Sequence, residues 1–197
     1  MTITASQVQD LRQRTGVGMM ECKRALEESG GDIEKAIDLL RSRGQAKAAK
    51  AAGRATREGR VEAYIHLGGK IGVLIEVDCE TDFVAKTDDF RELARSLAMQ
   101  VAATNPLAVD RTGVAAEVVE REQEIYRQQA RETGKPDTMI DKIAAGKLEK
   151  WYQDVCLLDQ AFIKDPDRKV SDVVNEAIQR LGENIVVRRF TRYEVGA

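Results

Sequence analysis

An α+β fold is predicted by three features of the sequence. Apolar residues recur every three or four positions through the first 44 residues, between residues that start and stop helices. Two alternating apolar runs then flank Gly68-Gly69, and after further helical stretches the chain ends on one more strand-like run. The expected architecture is a three-helix N-terminal module, a core of small antiparallel sheet packed with helices, and an antiparallel helical hairpin inserted in that core.

Each element has its own signal. Thr4 with Gln7 three positions on has the form of a capping box, and Val8 and Leu11 mark one face of a helix ending near Thr15-Gly16. Met19 or Met20 opens the apolar side of a second helix, Ala25 and Leu26 continue it, and Gly30-Gly31 stop it. Asp32 caps a third helix with Ile33, Ala36, Ile37 and Leu40 at helical spacing, and Gly44 is expected to close it. Residues 1–44 therefore form one module. Residues 45–58 are Ala-rich, with Lys47, Lys50, Arg54 and Arg57 three or four apart. They read as a basic linker helix, either a solvated connector or a contact surface for an acidic partner.

The core is expected from residues 59–114 and 157–197. Val61, Ala63, Ile65 and Leu67 alternate with polar neighbours, Gly68-Gly69 supplies a tight turn, and Ile71, Val73, Ile75 and Val77 resume the alternation. Thr87 or Asp88 caps a helix whose face of Phe90, Leu93, Ala94, Leu97, Ala98 and Val101 is expected to cover the hairpin until Asn105-Pro106 stops it. Residues 115–156 form the helical hairpin. Its first arm carries Val118, Val119, Ile125 and Tyr126, Gly134-Lys135-Pro136 breaks it, and Ile140, Ile143, Leu148 and Trp151 line the second arm, as in an antiparallel coiled coil. Asp165-Pro166-Asp167 marks a turn, Ser171 caps a helix that Gly182 ends, and residues 183–195 form the last strand.

Composition narrows the function. Charged residues make up 32% and aromatics 5%, and a net charge of −2 gives no global attraction to nucleic acid or anionic membrane. No apolar run approaches the ~20 residues of a spanning helix, and the start has neither a signal core nor an Arg-rich transit pattern, so a cytoplasmic protein is expected. Cys22, Cys79 and Cys156 are far apart with no CxxC, which suggests buried or half-buried thiols rather than disulfides or zinc ligands. His66 is the sole histidine. Gly68-Gly69-Lys70 lacks the spacing of a phosphate loop, Gly16-Val17-Gly18 follows no strand, and Glu27-Glu28 and Asp88-Asp89 are sequence neighbours that point apart. No enzyme, metal site, cofactor or direct nucleotide binding is predicted.

One segment stands out: Glu76-Val77-Asp78-Cys79-Glu80-Thr81-Asp82-Phe83-Val84-Ala85-Lys86, an aromatic at the centre of an acidic strand-to-helix connection. Phe83 either tucks into the chain's own core or is offered to a partner as a wedge beside Asp82. This segment, together with residues 11–26, LRQRTGVGMMECKRAL, resembles the paired hallmark segments of the elongation factor Ts family. The likeness continues through QAKAAKAAGRA, the Gly134-Lys135-Pro136 break, LLDQAFIKD and NIVVRRFTRYEVG. Asp78 stands where the family usually has Asn, and the length resembles members with one core repeat in place of two.

The resemblance implies a guanine nucleotide exchange factor of translation elongation that binds elongation factor Tu·GDP, displaces Mg²⁺ and lets GTP replace GDP. It implies that Thr81, Asp82, Phe83 and Val84 form the wedge that dislocates the partner's Mg²⁺. It also implies that Leu11, Arg12, Met19, Met20 and Lys23 of the N-terminal module make a second contact on the same domain of the partner. The resemblance to short family members further implies a homodimer, for which the sequence offers two candidate surfaces, the hairpin around Ile125, Ile143 and Trp151 and, preferred, the sheet edge at Ile185 to Val195. Two readings compete. An RNA-binding or ribosome-associated module would use the basic linker with Arg188, Arg189 and Arg192, but only Phe190 and Tyr193 could stack there, and no nucleic acid is expected. A UBA-like, ubiquitin-binding scaffold accounts for residues 1–44 alone and leaves Asp82-Phe83 unexplained.

Overall fold

In the computed structural model, which describes residues 3–134 and 136–197, the elements follow in the order α1 (Ala5–Thr15), α2 (Met19–Glu28), α3 (Ile33–Ala51), β1 (Glu58–Ile65) and β2 (Ile71–Cys79). Next come α4 (Asp82–Ala85), α5 (Asp88–Thr104), α6 (Ala116–Glu132), α7 (Asp137–Val155), β3 (Ala161–Phe162), β4 (Asp165–Lys169), α8 (Val170–Leu181) and β5 (Val186–Glu194). This is the predicted α+β class, with a three-stranded antiparallel sheet in the order β1-β2-β5. The chain divides into two units. One holds the chain up to Arg60 with Val77–Leu93 and Asp172–Val186; the other holds Val61–Glu76, Ala94–Ser171 and Val187–Ala197.

In the first unit, the capping box at Thr4 forms as read: the Gln7 N–H donates to Thr4 Oγ1 at 3.3 Å, and the Thr4 N–H donates to Gln7 Oε1 at 3.0 Å. The Lys35 N–H donates to the Asp32 carboxylate at 3.1 Å at the start of α3. Val8, Leu11, Val17, Cys22, Ala25, Leu26, Ala36 and Leu40 form one buried cluster among these three helices. Burying each large side chain contributes about 1.5–3 kcal/mol, which allows helices this short to persist.

Helix α3 does not end at Gly44. It runs on to Ala51, because Gly44 is not left-handed and the residues after it are strong helix formers. Gly44 is buried, and a Cβ there would lie 2.6 Å from Gln179 Oε1, so its smallness serves close approach and not a helix stop. Two of the four basic linker residues are paired within the chain: Lys47 with Glu21, and Arg54 with Glu80 at 3.2 Å.

In the second unit, the buried residues include Val73 and Ile75 of β2 and Leu97, Ala98 and Val101 of α5. Two buried glutamines tie α5 to the LLDQAFIKD stretch. Gln100 Nε2 donates to Gln160 Oε1 at 3.0 Å and to the Ala161 carbonyl at 3.1 Å, and the Ile163 N–H donates to Gln100 Oε1 at 2.8 Å. Buried amides so partnered carry little desolvation penalty. Helices α6 and α7 pack on each other as the expected hairpin, with Ala130, Ile140 and Ala144 buried. Lys135 of its predicted break lies outside the described residues.

Two further details, in the stretch from Asp165 to Ser171, differ from expectation. Asp165-Pro166-Asp167 is not a turn; it lies in β4, where Asp165 pairs with Phe162 and Lys169 with Ala161. Proline is tolerated there because each strand of a two-stranded ladder keeps an outer edge. Helix α8 accordingly starts at Val170, so Ser171 sits inside its first turn rather than capping it.

The hairpin also turns one apolar set outward. The His66 N–H donates to the Ile71 carbonyl at 2.9 Å, and a Cβ on Gly72 would lie 3.2 Å from Ile65 Cδ1, so Val61, Ala63 and Ile65 share a face with Gly72 and Leu74. Val73, Ile75 and Val77 of β2 are buried, whereas Val61, Ile65 (66% exposed), Leu67 and Leu74 face outward. Strand β5 adds Tyr193 (70% exposed) to the exposed apolar residues of this unit, and Val195 just after the strand is exposed as well; the Val195 N–H donates to the Lys70 carbonyl at 2.9 Å.

Candidate functional site

The standout segment folds as the last residues of β2, a bend, and the single turn α4. Asp78 is a buried residue of β2. Thr81 is extended (φ −128°, ψ 153°), and its hydroxyl accepts from the Val84 N–H at 3.4 Å, an N-cap for α4. The Thr81 carbonyl accepts from the Ala85 N–H at 3.3 Å and from the Cys79 thiol at 3.2 Å. Burial, with the nearby Glu183 carboxylate, pushes that thiol up to about 11, so it stays protonated and able to donate. All three cysteines are buried and free, as expected.

Phe83 is 80% exposed. Of its two sequence readings, burial in the chain's own core is excluded. Ala85 on the same turn is buried and Val84 half-buried, so α4 is anchored while its aromatic is displayed. Asp82 accepts from Lys86 Nζ at 2.6 Å. The Lys86 ammonium holds the Asp82 carboxyl below the usual carboxylate range, and Asp82 in turn raises Lys86. The anionic neighbour of Phe83 is therefore one half of an ion pair.

Residues that the sequence reading missed hold this turn in place. Glu183 Oε2 accepts from the Glu80 and Thr81 N–H groups, each at 3.0 Å, and Glu183 Oε1 accepts from the Thr81 hydroxyl at 2.6 Å. Glu80 accepts from the Asn184 N–H, and the Asn184 side-chain amide donates to the Arg54 carbonyl at 2.9 Å. The available signal was two polar residues, Glu183-Asn184, between the Gly182 helix stop and an apolar strand.

In the N-terminal module, Arg12, Met19, Met20 and Lys23 are exposed. Leu11 is corrected: at 0% exposure it belongs to the three-helix core, because it falls on the same helical face as Val8, and it offers no surface to a partner. Arg12, Met19, Met20, Lys23 and the Phe83 turn all belong to the first unit. Among the described residues no cluster of His, Cys, Asp and Glu could hold a metal ion, and no helix is long and apolar enough to cross a membrane.

A tied-down turn that displays one aromatic has the form of a docking element for another protein. Residues 43–197 match the family described as "Elongation factor TS". A protein of Moorella thermoacetica named elongation factor Ts is 62% identical over 194 residues, 98% of this chain and 96% of that protein. One of the same name from Syntrophomonas wolfei subsp. wolfei is 60% identical, covering 98% of this chain and 91% of that protein. One from Desulfotalea psychrophila is 54% identical over 197 residues, 100% of both chains. The chain belongs to the elongation factor Ts family, and its length is close to that of these relatives.

Proposed function

We propose that the chain is a guanine nucleotide exchange factor that binds elongation factor Tu·GDP and drives out GDP. The observation that carries this reading is Phe83, an aromatic displayed to solvent from an anchored turn within the family's second hallmark segment. Inserting Phe83 into the partner removes its ring from water, worth about 1.5–3 kcal/mol, and that energy is available only in the complex. The wedge of Thr81, Asp82, Phe83 and Val84 shifts the partner's groups that order Mg²⁺. The ion bridges the nucleotide phosphates to that protein, so its loss lowers GDP affinity. Arg12, Met19, Met20 and Lys23 form the second contact. No covalent bond is made or broken, so the role is not enzymatic. By linkage, GDP weakens the binding of this chain by the same factor, and the empty GTPase is held much more tightly than the GDP-bound one.

The ion pairs Arg189–Glu76 and Arg192–Glu194, both at 2.6 Å, favour this reading over RNA binding, because they spend the charge a phosphate contact would need. The test is release of labelled GDP from elongation factor Tu with and without this chain. Stimulation is expected, and a large excess of Mg²⁺ is expected to oppose it, since mass action restores the ion-bound state that the wedge disfavours. Stimulated rates indifferent to Mg²⁺ across a wide range would rule out the route through the ion. An absence of stimulation would remove the exchange function itself.

The same reading includes a homodimer. Strand β5 lies at an edge of the sheet, and the exposed apolar residues Val61, Ile65, Leu74, Tyr193 and Val195 belong to the same unit. A second copy meeting β5 about a two-fold axis would pair the open edge and cover this surface. Light scattering at micromolar concentration is expected to report about twice the 21.9 kDa chain mass. A monomer with full exchange activity would refute the dimer.

A further inference from the structure

We infer that Glu183 is a positioning residue for exchange: its carboxylate sets the Glu80-Thr81 bend and thereby the direction in which Phe83 is presented. The inference rests on the exchange reading above and adds to it a residue outside both hallmark segments.

Three observations carry it. A four-residue helix has too few internal hydrogen bonds to hold its own orientation, so the direction of α4 depends on what fixes its first residues. The backbone N–H groups of Glu80 and Thr81 and the Thr81 hydroxyl, at the entry to that helix, are all received by one side chain from about a hundred residues away. Glu183 receives two backbone N–H groups at 3.0 Å and the Thr81 hydroxyl at 2.6 Å, using both its oxygens. Charge-assisted bonds of this kind are roughly twice as strong as neutral ones. Finally, the hydroxyl that donates to Glu183 is the one that accepts from the Val84 N–H, so the carboxylate and the α4 cap share a single oxygen, two residues from the Phe83 ring.

The sharing has a geometric consequence. When the Thr81 hydroxyl points its hydrogen at Glu183, its lone pairs are left to face Val84, and the cap and clamp reinforce each other. A glutamine at 183 keeps the size but offers only one accepting oxygen, so it cannot accept both the backbone pair and the hydroxyl in the same way. The Asn184 N–H bond to Glu80 and the Arg54–Glu80 contact at 3.2 Å hold the bend from its other side, so loss of Glu183 is expected to loosen the bend without dissolving it.

The experiment measures GDP release from elongation factor Tu with the full chain, comparing the native protein with Glu183→Gln, Phe83→Ala and the double variant, each checked by thermal melting. Glu183→Gln is expected to lower stimulated release at least fivefold in the native background and to add no further loss in the Phe83→Ala background, because it acts only through the ring. Hydrogen exchange in the isolated chain is expected to show faster exchange of the Glu80 and Thr81 amides in Glu183→Gln. Should that variant unfold at the assay temperature, Thr81→Val, which removes the shared hydroxyl, carries the same comparison, and Thr81→Ser is expected to lose several-fold less. Native-like release by Glu183→Gln, or an equal further loss in the Phe83→Ala background, overturns the positioning role. If Phe83→Ala itself releases GDP at the native rate, it is the wedge reading that fails, and the positioning role falls with it.

Discussion

Phe83→Ala is expected to slow stimulated GDP release by at least tenfold while leaving the melting temperature within a few degrees of the native value. The expectation comes from where the ring is. It contributes almost nothing to this chain's own core, since most of its surface faces solvent, so truncating it opens no cavity and removes little folding energy. In a complex it would lose the whole burial term of about 1.5–3 kcal/mol, and about 1.4 kcal/mol is already a factor of ten. Ala also keeps the backbone of α4, so the Thr81 cap and the Asp82–Lys86 pair are undisturbed. A stopped-flow measurement of labelled GDP release, paired with a thermal melt, separates the outcomes. Full exchange activity in the variant would dismiss the ring as the wedge, whereas a large drop in melting temperature would mean that it supports the fold.

The largest stability effect is expected at Gly59, where an alanine should lower stability by about 2 kcal/mol or more, or about 4–8 °C in melting temperature. Gly59 lies in β1 with φ +152°, a conformation side chains rarely adopt. A Cβ there would sit 2.4 Å from the Val77 carbonyl oxygen and 2.7 Å from the Asp78 Cα. Those atoms are backbone of a buried stretch of β2 and cannot swing aside as a side-chain tip would. Gly146 is the matched control. It is exposed within α7 with nothing inside 4 Å of an added Cβ, so Gly146→Ala should instead stabilise by about 0.5–1 kcal/mol. Equal melting temperatures for Gly59→Ala and the native chain would show that β1 and β2 can part at this point without cost.

Much of the architecture was legible because its signals are local. The capping box at Thr4-Gln7, the Asp32 cap, the Gly68-Gly69 turn and the Asn105-Pro106 stop each act within a few residues, and all are found where read. Local reasoning failed where a residue type has two uses. A glycine can stop a helix or admit a neighbour, and Gly44 does the second. Asp165-Pro166-Asp167 has turn composition, yet it lies in a strand whose outer edge tolerates a proline.

Periodicity in the amino-acid order indicated the α+β class, and the segment around Phe83 stood out as an aromatic within an acidic strand-to-helix connection, whereas the two hallmark segments were recognised only by their resemblance to a known family. Periodicity records which residues share a face, but not which face is covered. Only packing turned Leu11 inward and left Met20 outside, and only the hairpin's register left Val61 and Ile65 exposed while Val73 and Ile75 were buried. The Glu183 clamp belongs to the same class of decision. Its partners Glu80 and Thr81 are about a hundred residues away, and nothing short of the closed tertiary structure brings that carboxylate to their amides.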